Sequence, residues 1–264
     1  MEKILVPLGN SENSVDTLQY AIDFASVCKA KIYVIQVFGS VSSTGILKNV
    51  DELIEVEAKE ELQTMLEQVD EKDVEVIAKV LKGQVTESVS AIAEALDVDI
   101  IISSANYSGS DHTVFIGPIV GGIVKRTQLP ILIIPKGYVF QPIHSILLGV
   151  RSGLMKRPDV LVTLKDFVSV FNAKVKLLHV ITPKNTEEDN VLHADFEAIG
   201  DDKITTKNET VYEGLSAHIN TIQPDLLCVI RRKRGFFSKM WEQNSIKKVD
   251  FESKIPLLVL KGNL

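Results

Sequence analysis

This 264-residue chain repeats itself. Phe24-Ala-Ser-Val-Cys-Lys-Ala-Lys-Ile-Tyr-Val-Ile-Gln-Val37 aligns with Phe167-Val-Ser-Val-Phe-Asn-Ala-Lys-Val-Lys-Leu-Leu-His-Val180, an offset of 143 residues. Further on, Asp99-Ile-Ile-Ile aligns with Asp225-Leu-Leu-Cys, and Pro130-Ile-Leu-Ile-Ile with Pro256-Leu-Leu-Val-Leu, both at an offset of 126. One folding unit used twice accounts for this, and any local assignment must fit both copies. The change from 143 to 126 makes the second copy 17 residues shorter between its second and fourth strands. There the first copy carries Asn49 to Glu52, which resembles a capping box, followed by Val50, Leu53, Ile54, Ala58, Leu62, Met65, Leu66 and Val69 at helical spacing. The second copy has only the polar stretch 183–203, and is expected to have lost most of this helix.

Hydrophobic period orders the rest. Residues 4–8 form an apolar run read as a strand, and Ser11 is placed as the cap of a helix whose Val15, Leu18, Ala21, Ile22, Ala25 and Cys28 share one face. Strands are expected over 31–38, 74–81, 100–102 and 131–134, with helices over 49–69 and 84–96 and a short one opening at Gly117. The second copy is expected to place strands at 146–150, 174–181, 203–208, 226–230 and 257–260, and helices near 158–172, 210–222 and 243–252. Strands alternating with helices imply a parallel sheet covered on both faces. The expected fold class is therefore α/β, two tandem Rossmann-like domains at 1–140 and 143–264. The apolar fifth strands, with Ile131, Leu132 and Ile133 in one and Leu257, Leu258 and Val259 in the other, have edges that a sheet must pair or cover, so they are assigned to an interface.

Charge is divided unevenly between the copies. Residues 1–142 hold 20 acidic and 11 basic side chains, a net −9, and residues 143–264 hold 15 and 18, a net +3. Contact between unlike halves is favoured on this count. No apolar run approaches the roughly 20 residues of a membrane span and no signal-like core follows Lys3, so the expectation is a cytoplasmic protein with no membrane partner. Cys28 and Cys228 each lie in an apolar stretch and read as reduced, buried thiols.

The chain also holds Lys3-Ile-Leu-Val-Pro7 followed by Ser11-Glu-Asn-Ser14, Ala30-Lys-Ile-Tyr-Val, Asp99-Ile-Ile-Ile, and Gly117 ahead of Leu129-Pro-Ile-Leu-Ile-Ile-Pro135. Together these stretches resemble the universal stress protein family in a tandem form. The resemblance implies adenine nucleotide alpha hydrolase-like domains, each a five-stranded parallel sheet of order 3-2-1-4-5, paired through their fifth strands. It also implies a nucleotide position around Pro7, Leu8, Gly9 and Val37. Nucleotide-binding members have an Asp after the first strand and a loop of the form G-x2-G-x9-G-[ST]. Glycines there admit φ > 0 and let backbone N–H groups close on phosphate. In this chain the Asp position is Gly9, and the loop positions are Ser104, Tyr107, Gly117 and Pro118. Tyr107 sets a ring where backbone must touch phosphate, and Pro118 removes both N–H and hydroxyl. In the second copy the corresponding residues are Arg151, then Ile230, Lys233, Gln243 and Asn244. The resemblance is therefore to the branch that does not bind ATP, with no cofactor expected. The alternative is an ATP-binding regulator that uses Gly109, Gly117 and Gly121-Gly122 of the first copy in a shifted loop.

The run Arg231-Arg232-Lys233-Arg234-Gly-Phe236-Phe237-Ser-Lys-Met-Trp241 interleaves basic and aromatic residues. It reads either as a solvated loop whose rings pack on the chain itself, or as a patch for an acidic or protein partner. Nucleic acid is not the expected partner of an acidic chain; an unidentified protein and a second copy, in a homodimer, are. His112 beside Asp111, Ser108 and Ser110 is a polar loop cluster, since a catalytic triad is defined by geometry and not by adjacency in sequence. His144, His179, His193 and His218 show no metal-binding spacing, and no enzymatic constellation is expected.

Overall fold

The structure, a computed structural model, describes residues 1–9, 13–39, 50–105, 114–155, 157–232, 246–247 and 251–262. These form β1 (Lys3–Leu8), α1 (Ser14–Cys28), β2 (Lys31–Phe38), α2 (Val50–Glu67), β3 (Val76–Lys82), α3 (Val85–Ala95), β4 (Ile100–Ser104), β5 (Val114–Ile116), α4 (Pro118–Arg126) and β6 (Ile131–Ile134) in the first half. The second half has β7 (Ser145–Val150), α5 (Val162–Phe171), β8 (Lys174–Ile181), α6 (Ala194–Ile199), β9 (Asp202–Lys207), α7 (Val211–Ile222), β10 (Leu226–Arg232), β11 (Ile246–Lys247) and β12 (Leu257–Gly262), with short 3₁₀ turns at Pro158–Leu161 and Glu188–Asn190.

Ten of the strands make one sheet in the order β3-β2-β1-β4-β6-β12-β10-β7-β8-β9. Within each half every pair is parallel. The halves meet at β6 and β12, which pair antiparallel with Leu257 opposite Ile133, Leu258 opposite Leu132 and Val259 opposite Ile131. The apolar edge of each fifth strand is thus covered by the other. On one face of the sheet Phe24 of α1 lies 5.2 Å from Phe167 and 5.7 Å from Phe171 of α5, ring centre to ring centre, with Phe140 of the connecting segment 6.2 Å from both Phe24 and Phe171. On the other face Phe115 and Tyr212 both pack on Phe251, at 5.6 and 4.6 Å.

The sequence repeat has a structural counterpart at several aligned positions. Lys29 and Asn172 both close their helices in the left-handed region, at φ 55 and 51. The next residue then returns its N–H in the same way, Ala30 to Ala25 and Ala173 to Val168. Asp99 accepts hydrogen bonds from the backbone N–H groups of Glu2 and Lys3, and Asp225 from those of His144 and Ser145. Each Asp thereby ties the start of a central strand to the start of the neighbouring strand. Leu227 donates to Pro256 as Ile101 does to Pro130.

Local expectations are corrected in four places. α1 begins at Ser14 after Asn13, whose side chain makes no cap, and Ser11 lies outside the described residues. Cys28 is half-buried and not fully enclosed like Cys228. On α2 only Ala58 and Leu62 are buried; Leu53 is 66% exposed, because this helix covers just the outer strands β2 and β3 and one narrow face suffices. The helix expected over 243–252 is overturned at 246–247, which form β11, an antiparallel partner of β5 with Ile246 opposite Ile116 and Lys247 opposite Val114. The shortened connection of the second half keeps a six-residue helix, α6, whose Phe196 is fully buried. The outermost strands β3 and β9 carry exposed Lys79, Lys82, Lys203 and Lys207, which discourage pairing with another chain.

Candidate site at the first-half cleft

Parallel strands end at a rim where helices begin, and in the first half that rim holds a cleft of about 390 Å³. Gly9 follows β1, Val37 and Phe38 close β2, and Ile54, Glu57, Ala58 and Glu61 face in from α2. Gln36, Gly39, Val85 and Ile119 complete the wall. Gln36 is buried and donates from Nε2 to Glu61 Oε2 at 2.8 Å. Glu57 is exposed at the mouth. At the rim Lys82 is paired with Asp51 at 2.6 Å. The Gly9 carbonyl accepts the Ser14 hydroxyl, which ties the end of β1 to the start of α1. Of the sequence-derived positions, Gly9 and Val37 line this cleft. Pro7 and Leu8 lie in β1 and are buried. Gln36, Phe38, Glu57 and Glu61 were missed, because nothing in a helical or strand period marks a side chain that faces a cavity.

Ser104 ends β4, buried, and neither its hydroxyl nor that of Ser103 has a hydrogen-bond partner among the described residues. Gly117 caps α4 through its backbone alone, its N–H donating to Ala105 at 3.0 Å, and Pro118 occupies the first helical turn, exposed. The Gly121-Gly122 pair is not part of a loop. Both residues are inside α4, and a Cβ on Gly122 would lie 3.2 Å from Thr86, so this glycine serves the close approach of α4 to α3. Tyr107, Gly109 and His112 lie outside the described residues.

The corresponding rim of the second half is filled by its own chain. Residues 182–193 fold back over the ends of β7 and β8. Asn185 donates to the Arg151 carbonyl at 2.8 Å, Gly153 N–H donates to Asp189 at 2.7 Å, and His193 N–H donates to Gly153 at 2.9 Å. Thr186 donates through both N–H and hydroxyl to the Asp189 carboxylate, at 3.0 and 3.1 Å. Burial pushes that carboxyl's pKa up, but hydrogen bonds from Ser152 and Thr186 outweigh it and hold the group below its ordinary value. His179, 2% exposed, donates from Nε2 to the Arg151 carbonyl at 3.2 Å. Burial, the largest influence, lowers its pKa, and Lys203 adds to this, while the hydrogen bonds and the Asp189 carboxylate oppose it.

Unfolded chain takes up the imidazole proton near pH 6.5, before the folded protein does. Stability from a neutral His179 is complete above that pH and is lost as pH falls toward the lower folded value. Asp189 adds a second loss below about pH 4, where the unfolded carboxyl protonates first. Urea midpoints measured from pH 7.5 to 5 are expected to fall for the parent and to run flatter for His179→Gln; parallel curves would reject the assignment.

The basic–aromatic run is only partly in view. Arg231, half-buried at the end of β10, donates from Nη1 to the Val124 carbonyl in the last turn of α4 at 2.8 Å, with its pKa lowered by burial. It therefore joins the two halves at a helix C-terminus, where a cation is favoured. Arg232 closes the strand, and Lys233, Arg234, Phe236, Phe237 and Trp241 lie outside the described residues. Among the described residues no group of three His, Cys, Asp or Glu is arranged to hold a metal, and no helix is long and apolar enough to cross a membrane.

Two doubly wound α/β halves, each with its rim at the strand carboxyl ends and joined through their fifth strands, define a tandem Rossmann-like protein. The model of the universal stress protein family matches residues 1–135, and the chain belongs to that family. A universal stress protein of Methanocaldococcus jannaschii is 23% identical over 140 residues, which are 51% of this chain and 82% of that protein. In fold the chain is similar to a universal stress protein from Archaeoglobus fulgidus, with a TM-score of 0.70 at 16% identity over 98% of this chain and 96% of the other. It is also similar to a protein of unknown function from Pseudomonas aeruginosa, with a TM-score of 0.62 at 12% identity over 99% and 93%.

Proposed function

We propose that this is a universal stress protein of the type that does not bind ATP, a cytoplasmic protein acting in the stress response by contact with other proteins and without turnover. The observation that carries the reading is the make-up of the first-half rim and its cleft. Gly9 stands where nucleotide binders have Asp, Ser104 and Pro118 stand where they have loop glycine and hydroxyl, and the carboxylates of Glu57 and Glu61 face the space. A polyanionic triphosphate would enter a wall of its own sign. The second-half rim is closed by residues 182–193. Contact with a partner is supported by α2, which presents Leu53 and Val56, 66% and 51% exposed, among Glu52, Glu55 and Glu60. A homodimer would have to use such a surface, since both fifth-strand edges are already occupied within the chain.

The second reading, an adenine-nucleotide regulator with at most slow hydrolysis, draws on the position of the cleft beside the start of α4. Thermal melting with millimolar Mg-ATP separates the two. A ligand at about 100 times its Kd stabilises by ~2.7 kcal/mol. No change in Tm is expected; a rise of several degrees would transfer the protein to the second reading.

A further inference from the structure

We propose that the first-half cleft is a binding site for a small organic cation, an ammonium or amidinium group carried on an apolar body. The inference rests on the reading above only in that the same cleft is taken not to hold a nucleotide. The cleft, about 390 Å³, is of the size that small ligands occupy. Its wall divides into two kinds of surface. Val37, Phe38, Ile54, Ala58, Val85 and Ile119 give an apolar lining that includes one aromatic ring. Among the described residues the charged groups in the wall are both carboxylates, Glu57 at the mouth and Glu61 one turn further along α2, the latter held in place by the buried amide of Gln36.

Lys82, a cation at the rim, is already engaged by Asp51. The surrounding half of the chain carries a net charge of −9 by the count of residues 1–142. A cleft with low-dielectric walls and charge of one sign concentrates the opposite ion. An aromatic ring beside carboxylates is the combination that favours organic cations over hydrated inorganic ones, because the apolar body is desolvated while the charge is matched. A divalent metal is a poorer fit, since the described residues offer no group of three ligating side chains.

Benzamidinium, benzamide and benzoate have nearly the same shape and carry charges of +1, 0 and −1, so they isolate the effect of charge. Saturation-transfer NMR and calorimetric titration of the full chain with each, in low salt, are expected to show benzamidinium binding most tightly, benzamide weakly and benzoate not at all. Glu57→Gln combined with Glu61→Gln is expected to weaken benzamidinium by about three- to tenfold with the folded circular-dichroism spectrum and the weak benzamide binding retained, since a glutamine side-chain oxygen can still accept from Gln36. Equal binding of benzamide and benzamidinium, absence of binding by all three, or an unchanged benzamidinium affinity in the double variant would each overturn the proposal. A parallel titration with Mg-ATP separates the two ideas. ATP binding removes the preceding reading, whereas silence toward all four probes removes only the cation site.

Discussion

Phe24→Ala is expected to lower the stability of the whole chain by about 3–5 kcal/mol, although Phe24 belongs to the first half alone. Its ring is fully buried and packs on Phe140, Phe167 and Phe171, so truncation opens a cavity walled by both halves. Little can collapse into it, since α1 and α5 are each pinned to the same continuous sheet. Urea denaturation followed by fluorescence and circular dichroism should show one transition shifted as a unit. A double-mutant cycle with Phe167→Ala should return a coupling of about 0.5–1.5 kcal/mol. If Phe24→Ala instead splits the curve in two and leaves the second transition untouched, the aromatic cluster is not a shared core.

The second large effect is expected at Gly153. A Cβ there would lie 2.0 Å from the Val191 carbonyl oxygen and 2.7 Å from Leu192 Cα, both backbone atoms that cannot rotate away. Gly153→Ala must therefore displace residues 182–193 from the ends of β7 and β8 and break the backbone bonds to Asp189 and His193. The loss is expected at the upper end of the roughly 1–3 kcal/mol typical of overpacking, or beyond it. Amide exchange should speed up at Asp189, Asn190 and His193 while β7 stays protected. An unaltered exchange pattern would mean that the segment does not sit on Gly153 as described.

Much of this architecture was legible because the chain states it twice. The left-handed closures at Lys29 and Asn172, and the strand ties of Asp99 and Asp225, fall at the two offsets of the repeat, so each was marked before its geometry was known. What escaped was of a different physical kind. β5 and β11 span three and two residues and pair across 130 positions of sequence, too short for any period to register. The apolar pattern on α2 promised a broad buried face, but a helix over outer strands has less to cover. At the candidate site, Gly9 and Val37 were found through resemblance. Glu57 and Glu61 were hidden, since glutamates on an exposed-looking helix signal solvent until a cavity is seen in front of them.

The antiparallel seam between β6 and β12 turns the two halves end for end. Because the halves are parallel within and opposed to each other, their strands finish at contrary ends of the sheet, and the molecule is a two-ended body. The cleft opens at one end and the strap of residues 182–193 covers the other. They are separated by at least the length of a strand, six residues in β1, or about 20 Å. A single small molecule cannot touch both, and a macromolecule that reads both ends must wrap the sheet or arrive as two. Whatever is bound at one end leaves the other end free for a different contact.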